Sequence, residues 1–149
     1  MTHSLREHTT LGRTGLRVSR LGIGAGYGAP ADAYEKAFHE FGVNYMYWSL
    51  LRRSGMTKAL RNLAPAHRDK LAIAVQTYDH VGVLARNTIE RALRSLRIDY
   101  ADVLILGWFN HGPPRRVLDA ALKLKDEGKV RFIAMSGHRR RLFAEHAQN

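Results

Sequence analysis

The feature that most limits this chain is a regular exchange of two hydrophobic periods along its length. Short β-rich runs, "RLGIGAG", "VNYMYWS", "LAIAVQT", "ADVLILG" and "VRFIAMS", alternate with segments whose apolar residues recur at helical spacing. The helical segments lie at 32–41, with Asp32 as N-cap and Gly42 as stop, and at 56–63, ended before Pro65. The next, at 85–96, stacks Ile89, Ala92, Leu93 and Leu96 on one face. A fourth is opened by Pro114 and closed by Gly128, with Val117, Leu118, Ala121, Leu122 and Leu124 as its buried stripe. "RRRLFAEHA" begins another, and "LGRTGLRVS" near the start reads as a hairpin with Gly12 and Gly15 in its turns. Strand and helix in strict alternation with short links predict a parallel sheet with right-handed crossovers.

Two architectures share this order, a doubly wound sheet and a (β/α)8 barrel. "GAGYGA" matches the glycine spacing of a dinucleotide fingerprint after a strand. Pro30 interrupts the approach to the helix, however, and no acidic residue stands about twenty positions later in "NYMYWS", so the segment reads as a Gly-rich strand end. A length of 149 residues is that of one domain, taken as 1–149.

Four segments in succession, "LGRTGLRVSRLGIG", "FGVNYMYWS", "IERALRSLRIDYADVLIL" and "GKVRFIAMS", resemble the landmarks of the aldo-keto reductases in order and spacing. The third is the most specific: a helix ending in Ser-Leu, then Asp-Tyr, one residue, and Asp before a hydrophobic strand. The resemblance implies a (β/α)8 barrel that reduces carbonyls with NADPH at the C-terminal ends of its strands. It covers about five βα units, roughly half of a ~250-residue barrel. The expected fold is therefore a partial (β/α)8 TIM barrel of about five parallel strands, headed by a β-hairpin. In the family, a tyrosine protonates the carbonyl, a lysine paired with an aspartate activates it, and a histidine orients the substrate. The matching positions here hold Arg52, Gln76, Tyr47 and Gly107 respectively. Arginine cannot donate the proton, glutamine carries no charge and glycine has no side chain. Losing a positioned general acid alone costs about 10²–10⁴-fold. Ser136 matches a serine that the resemblance assigns to the nicotinamide amide, although its partner asparagine is replaced by Gly137. The elements that hold the cofactor phosphates belong largely to later units of the family barrel.

The expectation is an NADP-dependent oxidoreductase domain without the standard carbonyl reduction, with a non-catalytic pseudoenzyme as the alternative. On the barrel reading Tyr27, Tyr47, Trp48, Arg52, Gln76, Tyr78, Trp108, Asn110, His111, Ser136 and His138 face one mouth. If a reaction survives there, Arg52 is the anion or oxyanion anchor, and His111 or His138 the proton-transfer group; otherwise the aromatics fill vacated space. A five-stranded arc has two unpaired edges, so a missing C-terminal half, with this chain a fragment of a longer product, or self-association is expected to cover them.

Charge and composition narrow the remaining classes. With 24 Lys+Arg against 13 Asp+Glu the formal charge is +11, which suits phosphates or acidic partners. Arg52-Arg53, Arg115-Arg116 and Arg139-Arg140-Arg141 lie on separate elements with no nucleic-acid motif, so nucleic-acid binding is not expected. Zero cysteines exclude disulfides and thiolate metal sites, and the eight histidines form no paired helical motif, so no metal is expected. "MTHSLREHTT" lacks an apolar signal core and no apolar run reaches the ~18 residues of a membrane span, which makes the cytoplasm the default.

Overall fold

The structure, a computed structural model, describes residues 7–51 and 55–147. A hairpin of β1 (His8–Thr10) and β2 (Arg17–Ser19) turns through Gly12 and Gly15, both at positive φ. The sheet proper comprises β3 (Ile23–Gly24), β4 (Tyr45–Ser49), β5 (Ala72–Thr77), β6 (Ala101–Leu106) and β7 (Val130–Met135). The helices are α1 (Ala31–Phe41), α2 (Met56–His67), α3 (Gly82–Leu96), α4 (Arg115–Asp126) and α5 (Arg140–Ala147). All five strands are parallel and their spatial order is their chain order.

That order decides between the two architectures. A doubly wound sheet reverses its strand order and carries helices on both faces. Here the order never reverses, and α1 to α4 bury their residues together with the outward strand residues Met46, Trp48, Ile73, Val75 and Leu104. The opposite face packs Tyr45, Tyr47, Ala72, Ala74, Val103, Ile105 and Phe132 against Leu16 and Val18 of the hairpin. Helices on one face and a hairpin under the other describe an arc of a (β/α)8 barrel. β5 is buried at all six positions, as a strand covered on both faces must be.

Asn44 fixes the hairpin to the N-terminal end of the sheet. Its Oδ1 accepts from the Ser19 N–H at 2.7 Å, and its Nδ2 donates to the carbonyls of Arg17 and Lys70 at 2.9 and 2.8 Å. Beside it, the carboxylate of Asp102 is 1% exposed. It accepts from Arg68 Nη2 and the Ile73 N–H, both at 2.9 Å, and from Arg131 Nη1 at 3.1 Å. One side chain thus joins the starts of β5, β6 and β7, which explains the aspartate that ends the Asp-Tyr-x-Asp motif.

Several local expectations are corrected. Asp32 lies inside the first turn of α1 rather than at its cap, which is Pro30; α1 does stop at Gly42, at φ 68°. α2 runs past Pro65 to His67, because the missing amide falls in its last turns, where little helix remains to disrupt. α3 starts three residues earlier than 85, at Gly82. On α4 only Val117, Ala121 and Leu124 are buried; Leu118 and Leu122 stay 39% and 43% exposed, since the outer flank of that helix has no neighbour among the described residues.

Between α3 and the end of α4, Arg86, Glu90, Glu127 and Lys129 form a four-membered charge network, with Arg86 Nη2 to Glu127 at 2.6 Å and Lys129 Nζ to Glu90 at 2.7 Å. Hydrogen bonding from Arg86, reinforced by Lys129, holds the Glu127 carboxyl down from 4.5 to about 2. The folded state therefore binds its proton later than the unfolded chain. The stability this contributes is complete above about pH 4.5 and is lost as pH falls towards 2. Urea midpoints taken between neutral pH and pH about 3 are expected to fall less steeply in Glu127→Gln than in the parent, and salt is expected to shrink the difference. Parallel pH profiles would refute this account.

Candidate functional site

Side chains alternate along each strand, so Tyr47 of β4 and Gln76 of β5 point to the inner face while Trp48 points away from it. Trp48 is fully buried under the helices, where its Nε1 donates to Thr57 Oγ1 at 2.9 Å, and it is not a mouth residue. Parallel register pairs Tyr47 with Ala74, which sets Gln76 one inward step further along. The Tyr47 hydroxyl donates to Gln76 Oε1 at 2.5 Å and lies 3.0 Å from the Tyr78 hydroxyl. Gln76 Nε2 donates to Ser136 Oγ at 3.1 Å, and the Trp108 N–H reaches the same oxygen at 3.4 Å. A continuous chain of neutral hydrogen bonds, Tyr78, Tyr47, Gln76, Ser136, crosses the C-terminal end of the sheet.

Gly107, the residue after β6, forms the wall behind Gln76. A Cβ at 107 would overlap Gln76 Nε2, stand 2.8 Å from the Thr77 carbonyl oxygen and 3.0 Å from a ring carbon of Tyr78. Three of the four positions matched to the family tetrad therefore lie side by side. The fourth, Arg52, lies outside the described residues, as does the side chain of Tyr27. The hydrogen bonds of the loop histidines run elsewhere: His111 Nδ1 pairs with the Gly112 carbonyl at 2.9 Å, and the His138 N–H donates to Asn110 Oδ1 at 2.8 Å. Both histidines are exposed.

The aromatic rim is real. Trp108 is 57% exposed, its ring centroid 4.5 Å from that of Tyr78. Its backbone has φ 62°, a left-handed conformation that costs a bulky residue energy and that clusters at functional sites. A cavity of about 330 Å³, reached from this rim through Tyr78, is lined by Leu50, Leu51, Gln76, Tyr78, Asp79, Thr88 and Arg91. Asp79 Oδ2 accepts from both Thr77 and Thr88 hydroxyls, at 2.7 and 2.6 Å, so this carboxylate is fixed in the wall. Asp79 and Arg91 were not singled out by the sequence, because an aspartate between strand and helix ordinarily reads as a turn or cap. A larger cleft of about 770 Å³ opens at the opposite, N-terminal end. Barrel chemistry resides at the C-terminal ends of strands, so the smaller, aromatic mouth is the candidate site.

No family model matches the chain. L-galactose dehydrogenase of Arabidopsis thaliana is 29% identical over 154 residues, covering 88% of this chain and 48% of that protein. An aldo-keto reductase from Bacillus halodurans in its holo form superposes with a TM-score of 0.80 at 22% identity, over 96% of this chain and 54% of its own length. The fold is aldo-keto-reductase-like. A thermostable aldo-keto reductase in complex with the inhibitor epalrestat superposes similarly, with a TM-score of 0.78 and 22% identity over 93% of this chain and 56% of that one. The chain spans about half the length of these relatives. Among the described residues no helix is long and apolar enough to cross a membrane, and no cluster of three or more His, Asp or Glu side chains could hold a metal.

Proposed function

We propose that this chain is an aldo-keto-reductase-like oxidoreductase domain whose mouth receives a flat small molecule on Trp108 and Tyr78 and which does not carry out the standard carbonyl reduction. The observation that carries the reading is the chain Tyr47, Gln76, Ser136. Where the resemblance implies an aspartate–lysine ion pair, this sheet holds a phenol bonded to a carboxamide. No member of the network is an ammonium, carboxylate or imidazole. It can orient a bound carbonyl or amide, and among the described residues its hydrogen bonds bring no charged group to activate a proton donor.

The nicotinamide cofactor suggested by the fold meets only part of the donor set it needs. Ser136 Oγ already accepts from Gln76 and from Trp108, which leaves its own O–H to donate. A side chain at 137 would run into the Phe109 carbonyl oxygen, so the two-residue amide clamp implied by the resemblance has no room in this backbone. We therefore place ligand binding ahead of hydride transfer, and the pseudoenzyme reading ahead of a reductase using Arg52, His111 or His138.

NADPH titration of the full chain, followed by the fluorescence of the exposed Trp108, tests this reading. The expected result is quenching that is weak or absent up to millimolar cofactor, no consumption of NADPH with an aldehyde panel, and loss of any quenching in Trp108→Phe. Saturable micromolar binding accompanied by aldehyde-dependent NADPH oxidation would overturn the proposal.

A further inference from the structure

The cleft at the N-terminal end has its own chemistry, independent of the mouth. It lies between the hairpin and the starts of β5, β6 and β7, with about 770 Å³ of space, in the range of sites for small molecules. Four permanent cations line it, Arg17, Arg68, Lys70 and Arg131, against one lining carboxylate, Asp69, and the buried Asp102 that Arg68 and Arg131 share. Four positive charges less two negative ones leave a surplus of two. Those charges are not all consumed by the fold. Arg68 is engaged with the Leu71 and Tyr100 carbonyls and Asp102, and is structural. Arg17 spends one nitrogen on the His8 carbonyl, Arg131 one on Asp102, and the Lys70 ammonium makes no hydrogen bond or ion pair among the described residues. Arg17 comes from the hairpin, Lys70 from the turn before β5, and Arg131 from β7, so three chain segments present donors to one space. The floor is apolar, from Leu16, Phe38 and Leu71.

We propose that this cleft binds a phosphoryl dianion, with Arg17, Lys70 and Arg131 as its ligands and the apolar floor receiving an attached organic group. A phosphate monoester carries about −1.5 to −2 near neutral pH, which matches the surplus, and its oxygens suit guanidinium and ammonium donors. Such a ligand bridges the hairpin to β7 and holds the two together.

The test is calorimetric titration of the full chain with inorganic phosphate and with phenyl phosphate, at ionic strength held constant with sodium chloride. Saturable binding of both is expected, with Lys70→Gln and Arg17→Gln each weakening it about tenfold, the loss of one charge-assisted contact. Arg139→Gln, an exposed cation outside the cleft, is expected to leave it unchanged. Both cleft positions are exposed, so neither substitution threatens the fold. Tighter phenyl phosphate identifies an ester as the ligand, and equal affinities identify free phosphate; either supports the site. No saturable binding, or binding equally strong in Lys70→Gln and Arg17→Gln, overturns it.

Discussion

Asp102→Ala is expected to cost about 3–5 kcal/mol, a large part of the ordinary stability of a domain. The carboxylate is 1% exposed and Arg68, its closest partner, has only 18% of its side chain exposed. Removing the anion leaves that guanidinium in a poorly hydrated place beside its remaining carbonyl partners, and it strands the Ile73 N–H at the start of the β5–β6 ladder. Arg131 suffers less, since it is 49% exposed and can turn to water. Arg131→Ala is therefore expected to cost about 1 kcal/mol or less. Asp102→Asn should fall between, because one amide oxygen can still accept the Ile73 N–H. Urea unfolding with linear extrapolation reads all three. An Asp102→Ala protein within about 1 kcal/mol of the parent would show that the triad is not what holds the three strands in register.

The same residue shows what was legible in the sequence. Asp102 stood out as a landmark of a family pattern, yet nothing local said whether it served chemistry or architecture; only the strand starts brought together around it do. The alternation of strand and helix was legible because burial on both sheet faces leaves continuous apolar runs such as "LAIAVQT", while α3 carries its stripe at helical spacing. Helix α4 buries less than its pattern predicts. Leu118 and Leu122 have the same spacing as buried residues, but periodicity cannot tell a stripe that meets a neighbour from one that does not. At the candidate site, strand register makes the convergence of Tyr47, Gln76 and Gly107 foreseeable, whereas the bond between the first two depends on rotamers that no pattern encodes. Trp48 sits beside Tyr47 in sequence and shares its aromatic character, but strand alternation sends it outward under the helices and away from the mouth. The basic cleft was invisible in sequence, since Arg17, Lys70 and Arg131 are remote along the chain and none belongs to the arginine runs.

The second large effect concerns whether the mouth is built around Gln76 or merely tolerates it. Gly107→Ala is expected to destabilise the chain by about 1–3 kcal/mol, the usual cost of overpacking a closed site. The added methyl would meet two kinds of atom. Gln76 Nε2 ends a flexible side chain and can swing away, but only by releasing Ser136 and disturbing the bond from Tyr47. The Thr77 carbonyl oxygen, 2.8 Å from the methyl, is backbone and accepts the Gly107 N–H, so it cannot yield without shifting the β5–β6 ladder. The two contributions separate in a double-mutant cycle. In a Gln76→Ala background the first contact is gone, and the cost of Gly107→Ala should fall by about 1 kcal/mol while the backbone part persists. Gly107→His, which would install the imidazole that the family resemblance implies, should cost more than Gly107→Ala and should not by itself produce aldehyde-dependent NADPH oxidation, because Gln76 fills the space beside it. Additive costs in the cycle would mean that Gln76 and Gly107 are independent replacements. Coupling of the expected sign would mean that this barrel mouth is a fitted neutral site, in which the carboxamide and the missing side chain require one another.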